Sequence, residues 1–279
     1  MTGTLFVVAT PIGNLDDITM RAIETLKRAA LIAAEDTRVT RRLLDRFSIN
    51  TPCISLREQN ADRVVPVILE HLHAGRDVAV VSDAGTPAIS DPGVQIVDAA
   101  HDAQIAVCPI PGPSALCSAV SVAALKGDGI RFFGFLPRSG KERERRLSGI
   151  AQDPACCVIY ESPHRLRDTL SDLLAACGSR RAVVARELTK VHEEVRRGDL
   201  RDLLAHFAVE PKGEITILIE GKETASAECL SDEALGLLIA DRLANGASAK
   251  DIAASLSGAL GLSKKKIYDL TVSLIARQR

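Results

Sequence analysis

Short apolar runs alternate with longer segments whose hydrophobic positions recur every three to four residues, and this rhythm holds to about residue 220. Leu5–Ala9 reads as the first strand and enters a loop through Pro11, Gly13 and Asn14. A helix from about Thr19 sets Ile23, Leu26 and Ala30 to one side. The runs Leu31–Ala34, Cys53–Leu56, Asp77–Ser82 and Ile105–Cys108 read as further strands, with helices over 64–72 and 94–100. Ser114 is placed to N-cap a helix that reaches Leu125. This alternation predicts an α/β layer rich in parallel strands.

The two glycines of Lys126–Gly129 interrupt the pattern and mark a linker. Strands resume at Phe132–Leu136, Cys156–Glu161, Ala182–Glu187, Glu193–Arg197 and Glu214–Glu220, with helices starting near Gly140, Pro163 and Asp199. A polar stretch over 221–228 marks a second boundary, after which only helical patterns remain, at 232–243, 248–256 and 263–276. The expected organisation is an α/β domain over 1–125, a second over 126–221 and a helical segment over 229–279. The last two helices look like a helix-turn-helix. Ile252, Leu256, Leu260, Ile267, Leu270 and Leu274 would form its small core, and Lys264, Lys265 and Lys266 open the second helix. A helical cap on the second domain, or a contact between two copies, fits the segment equally well.

Composition narrows the classes. With 279 residues, 46% of them hydrophobic, the chain can bury a core without disulfides or a structural metal. Its formal charge is −1, so a polyanionic partner has to be met by local patches. Three groups stand out: Arg38, Arg41, Arg42 and Arg46; Arg138, Lys141, Arg143, Arg145 and Arg146; and Arg196, Arg197 and Arg201. Singly these are solvated faces, whereas gathered on one side they would track an RNA backbone. The seven cysteines, odd in number and without zinc spacing, predict reduced structural thiols in a cytoplasmic protein. No apolar run approaches the roughly 20 residues of a membrane helix, and the N-terminal residues lack a secretory pattern. The six His show no metal spacing, and His71 and His73 read as surface residues. With no Trp, two Tyr and six Phe, an extended base-stacking platform is hard to build.

Candidate chemistry lies in the loops. Thr10–Asn14, Asp83–Pro87 and Pro111–Ala115 follow predicted strands and are rich in Gly, Pro and small polar residues. Such loops either let a ligand approach the main chain or simply make tight turns. The signatures of a dinucleotide site, an NTPase loop and an α/β-hydrolase nucleophile are all missing. In the second domain, Glu161-Ser-Pro-His-Arg165 and Arg186-Glu-Leu-Thr-Lys190 follow predicted strands, as solvated turns or as the walls of a cleft.

Longer motifs carry a resemblance. They are Leu5-Phe-Val-Val-Ala-Thr-Pro-Ile-Gly-Asn-Leu15, Ala34-Glu-Asp-Thr-Arg38, Ser82-Asp-Ala-Gly-Thr-Pro-Ala-Ile-Ser-Asp-Pro-Gly93 and Pro111-Gly-Pro-Ser-Ala115, followed by Phe133-Gly-Phe-Leu-Pro137, Glu161-Ser-Pro-His-Arg165, Arg186-Glu-Leu-Thr-Lys190 and Gly213-Glu-Ile215. In this order they closely resemble the ribosomal RNA small subunit methyltransferase I family, a branch of the tetrapyrrole-methylase superfamily. The resemblance implies a class III methyltransferase fold: two α/β domains with S-adenosylmethionine in the cleft between them, and a small C-terminal helical domain. It implies 2′-O-methylation of a cytidine ribose in the decoding region of 16S rRNA, within the small ribosomal subunit, by a homodimer with no membrane contact. By position, Pro11, Asp83, Gly85, Thr86, Ser114 and Ala115 match the cofactor loops, with Ile215 from the second domain. Glu161 or Glu187 is the candidate general base, and Arg186 or Lys190 would favour the developing alkoxide; no metal is required. The glycine-rich first loop of the tetrapyrrole enzymes is replaced by Thr10-Pro-Ile-Gly-Asn14, which fits the rRNA branch. Two rivals stay open: a methyltransferase of this fold with a small acceptor, and a non-catalytic nucleic-acid binder that works through its tail.

Overall fold

The computed structural model describes residues 2–90, 93–223, 232–260 and 262–277. It divides into two compact units, Met1–Lys222 and Glu223–Arg279.

The first unit holds two five-stranded sheets. Strands β1 (Leu5–Val8), β2 (Leu31–Ala34), β3 (Cys53–Ser55), β4 (Val78–Val81) and β5 (Val107–Ile110) form the first, in the order β3-β2-β4-β1-β5. All its pairings are parallel, as the strand–helix alternation predicts. β2 and β4 lie inside the sheet and are buried at every position, which is why they read as unbroken apolar runs. Helices α1 (Met20–Arg28) and α2 (Thr37–Arg46) bring Ala22, Leu26, Leu43 and Leu44 against Ile32, Ala34, Ala79 and Val81. Helices α3 (Ala61–His73) and α4 (Val94–Asp102) bring Ile68, Leu72, Ile96 and Ala100 against Leu31, Ala33, Val78 and Val80 on the other face. Alternate residues of one strand thus feed two cores. His71 departs from the surface reading: it is half-buried, and its Nδ1 is shut from solvent without a partner.

Helix α5 (Ala115–Ala123) follows β5 but packs elsewhere. Its small residues Ala119 and Ala123 lie with Cys156, Val158, Val183, Ala185 and Leu218, all residues of the second sheet. The Arg197 guanidinium donates to the Ala124 carbonyl at the end of this helix, 3.0 Å away, where a cation suits the helix dipole. The expected boundary at residue 125 therefore falls just after a helix whose partners lie beyond it.

The second sheet contains β6 (Ile130–Phe135), β7 (Cys156–Glu161), β8 (Arg181–Arg186), β9 (Glu194–Asp199) and β10 (Ile215–Ile219), in the order β6-β7-β10-β8-β9. Only β6 and β7 run parallel; β10 enters antiparallel to both neighbours, and β8 is antiparallel to β9. Strands and helices alternate here as in the first half, but the pairing is mostly antiparallel. Helices α6 (Lys141–Gln152), α7 (Pro163–Cys177) and α8 (Leu200–His206) cover the face opposite α5, with Ile150, Leu166, Leu170, Leu173 and Leu203 against Ile159, Val184 and Ile217. Arg143 is buried on this face and spent within the fold. It donates to Asp172, to the Pro137 carbonyl and to the Thr169 hydroxyl.

The second unit consists of α9 (Asp232–Ala244), α10 (Ala249–Leu260) and α11 (Lys264–Arg277). Leu235, Ile239, Ile252, Ala253, Leu256 and Ile267 are its core, flanked by Leu270 and Leu274. The side chain of Leu260, expected in this core, lies outside the described residues. Lys264, Lys265 and Lys266 are exposed at the start of α11. Among the described residues no helix is long and apolar enough to cross a membrane.

Cys157 is fully buried, and burial pushes its thiol up to about 12, whereas Cys117 is exposed. Because the thiolate is the reactive form, alkylation of the folded protein at pH 8 is expected to modify Cys117 first. Cys157 should react only on unfolding. Peptide mass mapping of a labelling time course checks this, and equal native rates would contradict the placement of β7.

Candidate functional site: a cleft between the two sheets

Three loops leave the first sheet and are tied to one another before they meet anything else. Thr10 and Gly85 exchange main-chain hydrogen bonds of 2.8 and 3.0 Å, joining the β1 loop to the β4 loop. The Thr86 hydroxyl donates to the Pro113 carbonyl at 3.2 Å, joining the β4 loop to the β5 loop. Ser114 N-caps α5 through the Cys117 N–H. Two residues after Ser114, the Leu116 N–H donates to the Tyr160 hydroxyl at the end of β7 at 3.1 Å.

Facing these loops are the ends of β6, β7 and β8 and the beginning of β10. Antiparallel pairing sets Ile215 beside Glu161 on one side and beside Arg186 on the other. The cleft between them holds about 850 Å³ including its open mouth. From the first sheet it is lined by Ile12, Gly85, Thr86, Ile89, Ser114 and Ala115, and from the second by Phe135, Tyr160, Glu161, Leu188, Glu214 and Ile215. Among the described lining residues Glu161 and Glu214 are the only charged ones.

Of the residues singled out from the sequence, Gly85, Thr86, Ser114, Ala115, Ile215 and Glu161 line the cleft. Pro11 is buried next to Ile12, at the root of the first loop. Asp83 turns aside and accepts the Asp36 N–H at 2.9 Å, tying the β4 loop to the start of α2. Arg186 pairs with Glu194 at 3.0 Å and donates to the Lys212 carbonyl, away from the cleft. Tyr160, Phe135, Leu188 and Glu214 were not singled out. Glu214 stands inside the quoted Gly213-Glu-Ile215, and Tyr160 directly precedes Glu161.

Glu161 is 2% exposed. Its carboxylate accepts the Ser162 N–H at 2.8 Å and the Thr169 hydroxyl at 2.7 Å, with Arg165 Nε 3.4 Å away. Thr169 in turn accepts from Arg143. The carboxylate is therefore held by α7, which takes up both of its oxygens, and the side chain is shut from solvent at the end of β7.

Glu187 and Lys190 form a clasp at the cleft's edge. Lys190 Nζ reaches Glu187 at 2.7 Å and Glu214 at 3.0 Å, and Glu187 also accepts the Glu214 N–H. Two glycines make the contact possible. A Cβ on Gly213, whose φ is +97°, would fall 2.2 Å from the Glu187 carboxyl, and one on Gly13 would fall 2.4 Å from Lys190 Cγ. The Asn14 N–H donates to the Thr189 hydroxyl at 3.1 Å, so the first loop of one sheet is held by the loop after β8 of the other. Burial opposes ionisation of Glu187, but hydrogen bonds from Lys190 and the Glu214 N–H outweigh it and hold its carboxyl below the usual value. Burial likewise works against the charge on Lys190, and its two carboxylate partners overcome that and raise it.

A carboxyl whose value is lowered on folding contributes stability above its unfolded value and loses it as pH falls through the folded one. Wild type is therefore expected to exceed Glu187→Gln in stability at pH 7. The gap should close as pH drops from about 4.3 through the lowered value. Urea unfolding over this range checks it; a gap that stays constant would mean the charge is not its source.

Residues 4–204 match the family described as Tetrapyrrole (Corrin/Porphyrin) Methylases. A protein of Synechocystis sp. named Ribosomal RNA small subunit methyltransferase I is 42% identical over 276 residues, covering 98% of this chain and 99% of its own. The protein of the same name from Thermotoga maritima is 47% identical over 222 residues, 79% of this chain and all of its own. Among solved structures, cobalt precorrin-4 methyltransferase superposes with a TM-score of 0.59 at 16% identity, over 78% of this chain and 94% of that one. Uroporphyrin III C-methyl transferase from Thermus thermophilus gives 0.56 at 18% identity, over 79% and 98%. These two likenesses establish the fold. With its two sheets and three tied loops, the chain belongs to the ribosomal RNA small subunit methyltransferase I family of the tetrapyrrole methylases.

Proposed function

We propose that this protein transfers a methyl group from S-adenosylmethionine to the ribose 2′-hydroxyl of a cytidine in the decoding region of 16S rRNA, within the small ribosomal subunit. The observation that carries this reading is the cleft itself, formed by three loops of one sheet that are tied to one another and by the strand ends of the other sheet. It occurs in a chain matched almost end to end by a relative named for small-subunit rRNA methylation. The cytidine, its 2′ position and the decoding region come from the motif resemblance.

The lining fits the methyl donor. Glu214 suits its ammonium charge, and Ile12, Ile89, Leu188 and Ile215 offer apolar surface for the adenine. The start of α5, at Ser114 and Ala115, suits its carboxylate. Gly85 and Thr86 present main chain that is already locked by the neighbouring loops. When bound, the donor supplies a methyl carbon on positively charged sulfur: the ribose oxygen forms the C–O bond, the C–S bond breaks, the sulfur leaves as a neutral thioether and the hydroxyl proton passes to a base.

The chain's own contribution is mainly position. Loops fixed to one another hold reacting groups at little further entropy cost, an effect on the order of 7–11 kcal/mol in favourable cases. Glu161 is the general base in this reading, because the residue lines the cleft at the end of β7 and its buried carboxylate is fixed in place by Ser162 and Thr169. Glu187 holds the clasp instead, its carboxyl kept below the usual range and turned to Lys190. Positioned general bases contribute about 10²–10⁴-fold.

Labelled S-adenosylmethionine and small subunits from a strain lacking this gene test the reading, with the product mapped by nuclease digestion and mass spectrometry. The expected product is 2′-O-methylcytidine in the decoding region. A methylated base, or transfer to a tetrapyrrole without RNA, would replace this assignment. Glu161→Gln is expected to lower turnover at saturating substrates by about 10²–10⁴-fold. Unchanged turnover would remove Glu161 from the role.

A further inference from the structure

A second cavity adjoins the cleft, and Phe135 lines both. It encloses about 1460 Å³ including its mouth, and its charge differs from that of the cleft. Arg138, Arg143 and Arg165 line it together with His164, Asp168 and Asp172. Arg143 is taken up by Asp172, and His164 pairs with Glu210. Arg165 is turned toward Glu161 and the Leu136 carbonyl. Asp168 is exposed and faces the same space. Arg138 is exposed with no ion pair or hydrogen bond among the described residues. A guanidinium left uncommitted at such a place is suited to a phosphate oxygen.

Phe135 stands where the two spaces meet, and at the end of the edge strand β6 its ring is 57% exposed. Its orientation has a backbone cause. In the β6–β7 pairing Phe132 lies opposite Val158, Gly134 opposite Ile159 and Phe135 opposite Tyr160, so the register slips at Phe133. One extra residue reverses the alternation of faces. Phe133 joins the core under α6 and α7, and Phe135 comes out on the same side as Phe132. Both rings then meet Tyr160 edge-on, at 4.8 and 5.8 Å between centroids. Rare aromatics are thereby concentrated at the mouth of the cleft, and the outermost ring is left open to solvent.

We propose that Phe135 and Arg138 form the acceptor-nucleotide site. An unpaired RNA base stacks on the Phe135 ring, the adjoining phosphate sits at Arg138, and the ribose between them faces the acidic cleft. The proposal rests on the rRNA methylation reading above. Single-stranded and extruded bases are commonly held by aromatic stacking combined with backbone contacts.

The test uses the full-length protein with small subunits lacking the modification. Phe135→Leu keeps apolar bulk but loses the ring, and is expected to raise the subunit KM by about 5–150-fold while S-adenosylmethionine affinity by calorimetry stays within about twofold. Phe135→Trp is expected to restore KM. Arg138→Ala should flatten the dependence of log Kd for the subunit on log salt by about 0.7–0.9, the share of one phosphate contact, and Arg138→Lys should retain it. Loss of donor affinity in step with activity in Phe135→Leu would assign the ring to the donor's wall and overturn the proposal, as would an unchanged subunit KM. If wild type methylates the subunit but these variants behave as wild type, the proposal alone fails. If wild type transfers nothing to the subunit, the rRNA reading fails and takes the proposal with it.

Discussion

The packing of α5 across to the second sheet is the constraint on which the site depends. The helix is supplied by the first half of the chain, directly after the loop that closes the β5 end of the cleft, yet its apolar face is buried by β7, β8 and β10. Ala119 and Ala123 allow a close approach that larger side chains would prevent. The hydrogen bond from Leu116 N–H to Tyr160 fixes the front of the helix to the end of β7. With α5 held at both places, the loops of one sheet and the strand ends of the other face each other across a set distance. The clasp of Asn14, Thr189 and Lys190 then needs only to close the edge.

Much of this was legible in the sequence, and the reasons differ from place to place. β2 and β4 were readable because interior parallel strands are apolar at every position. The three loops stood out because turns that tie to one another through main-chain atoms require small residues and prolines. The direction of β10 was not readable, since an apolar run buried on both faces looks the same whichever way it points. That direction brings Glu214 into the cleft. Arg143 looked like part of a surface patch because it lies among Lys141, Arg145 and Arg146. Its fate is decided by Asp172 and Thr169, distant in sequence. The slip at Phe133 left no trace either, because a bulge is fixed by how two strands meet rather than by one of them.

Charge shows the same dependence on arrangement. The chain is almost neutral overall, yet its charges are distributed unevenly: Glu161 and Glu214 are the charged residues in the described lining of one space, while three arginines, Asp168 and Asp172 line its neighbour. Coulomb interactions at such short range are only partly screened by salt. A net charge of −1 therefore says little about what either space attracts.

The central place of β10 in the second sheet also bears on how the chain reaches its fold. Ile215–Ile219 is the last strand among the described residues, yet it sits between β7 and β8 and pairs with both. A ribosome making this protein releases the first sheet complete, while α5 has nothing to cover its apolar side. Both α5 and the half-built second sheet stay open until residues near 219 emerge. The interval is a period of exposed apolar surface for the nascent chain. The late strand is common to all of these: Leu218 packs with the helix, Ile217 fills the opposite core and Ile215 lines the cleft.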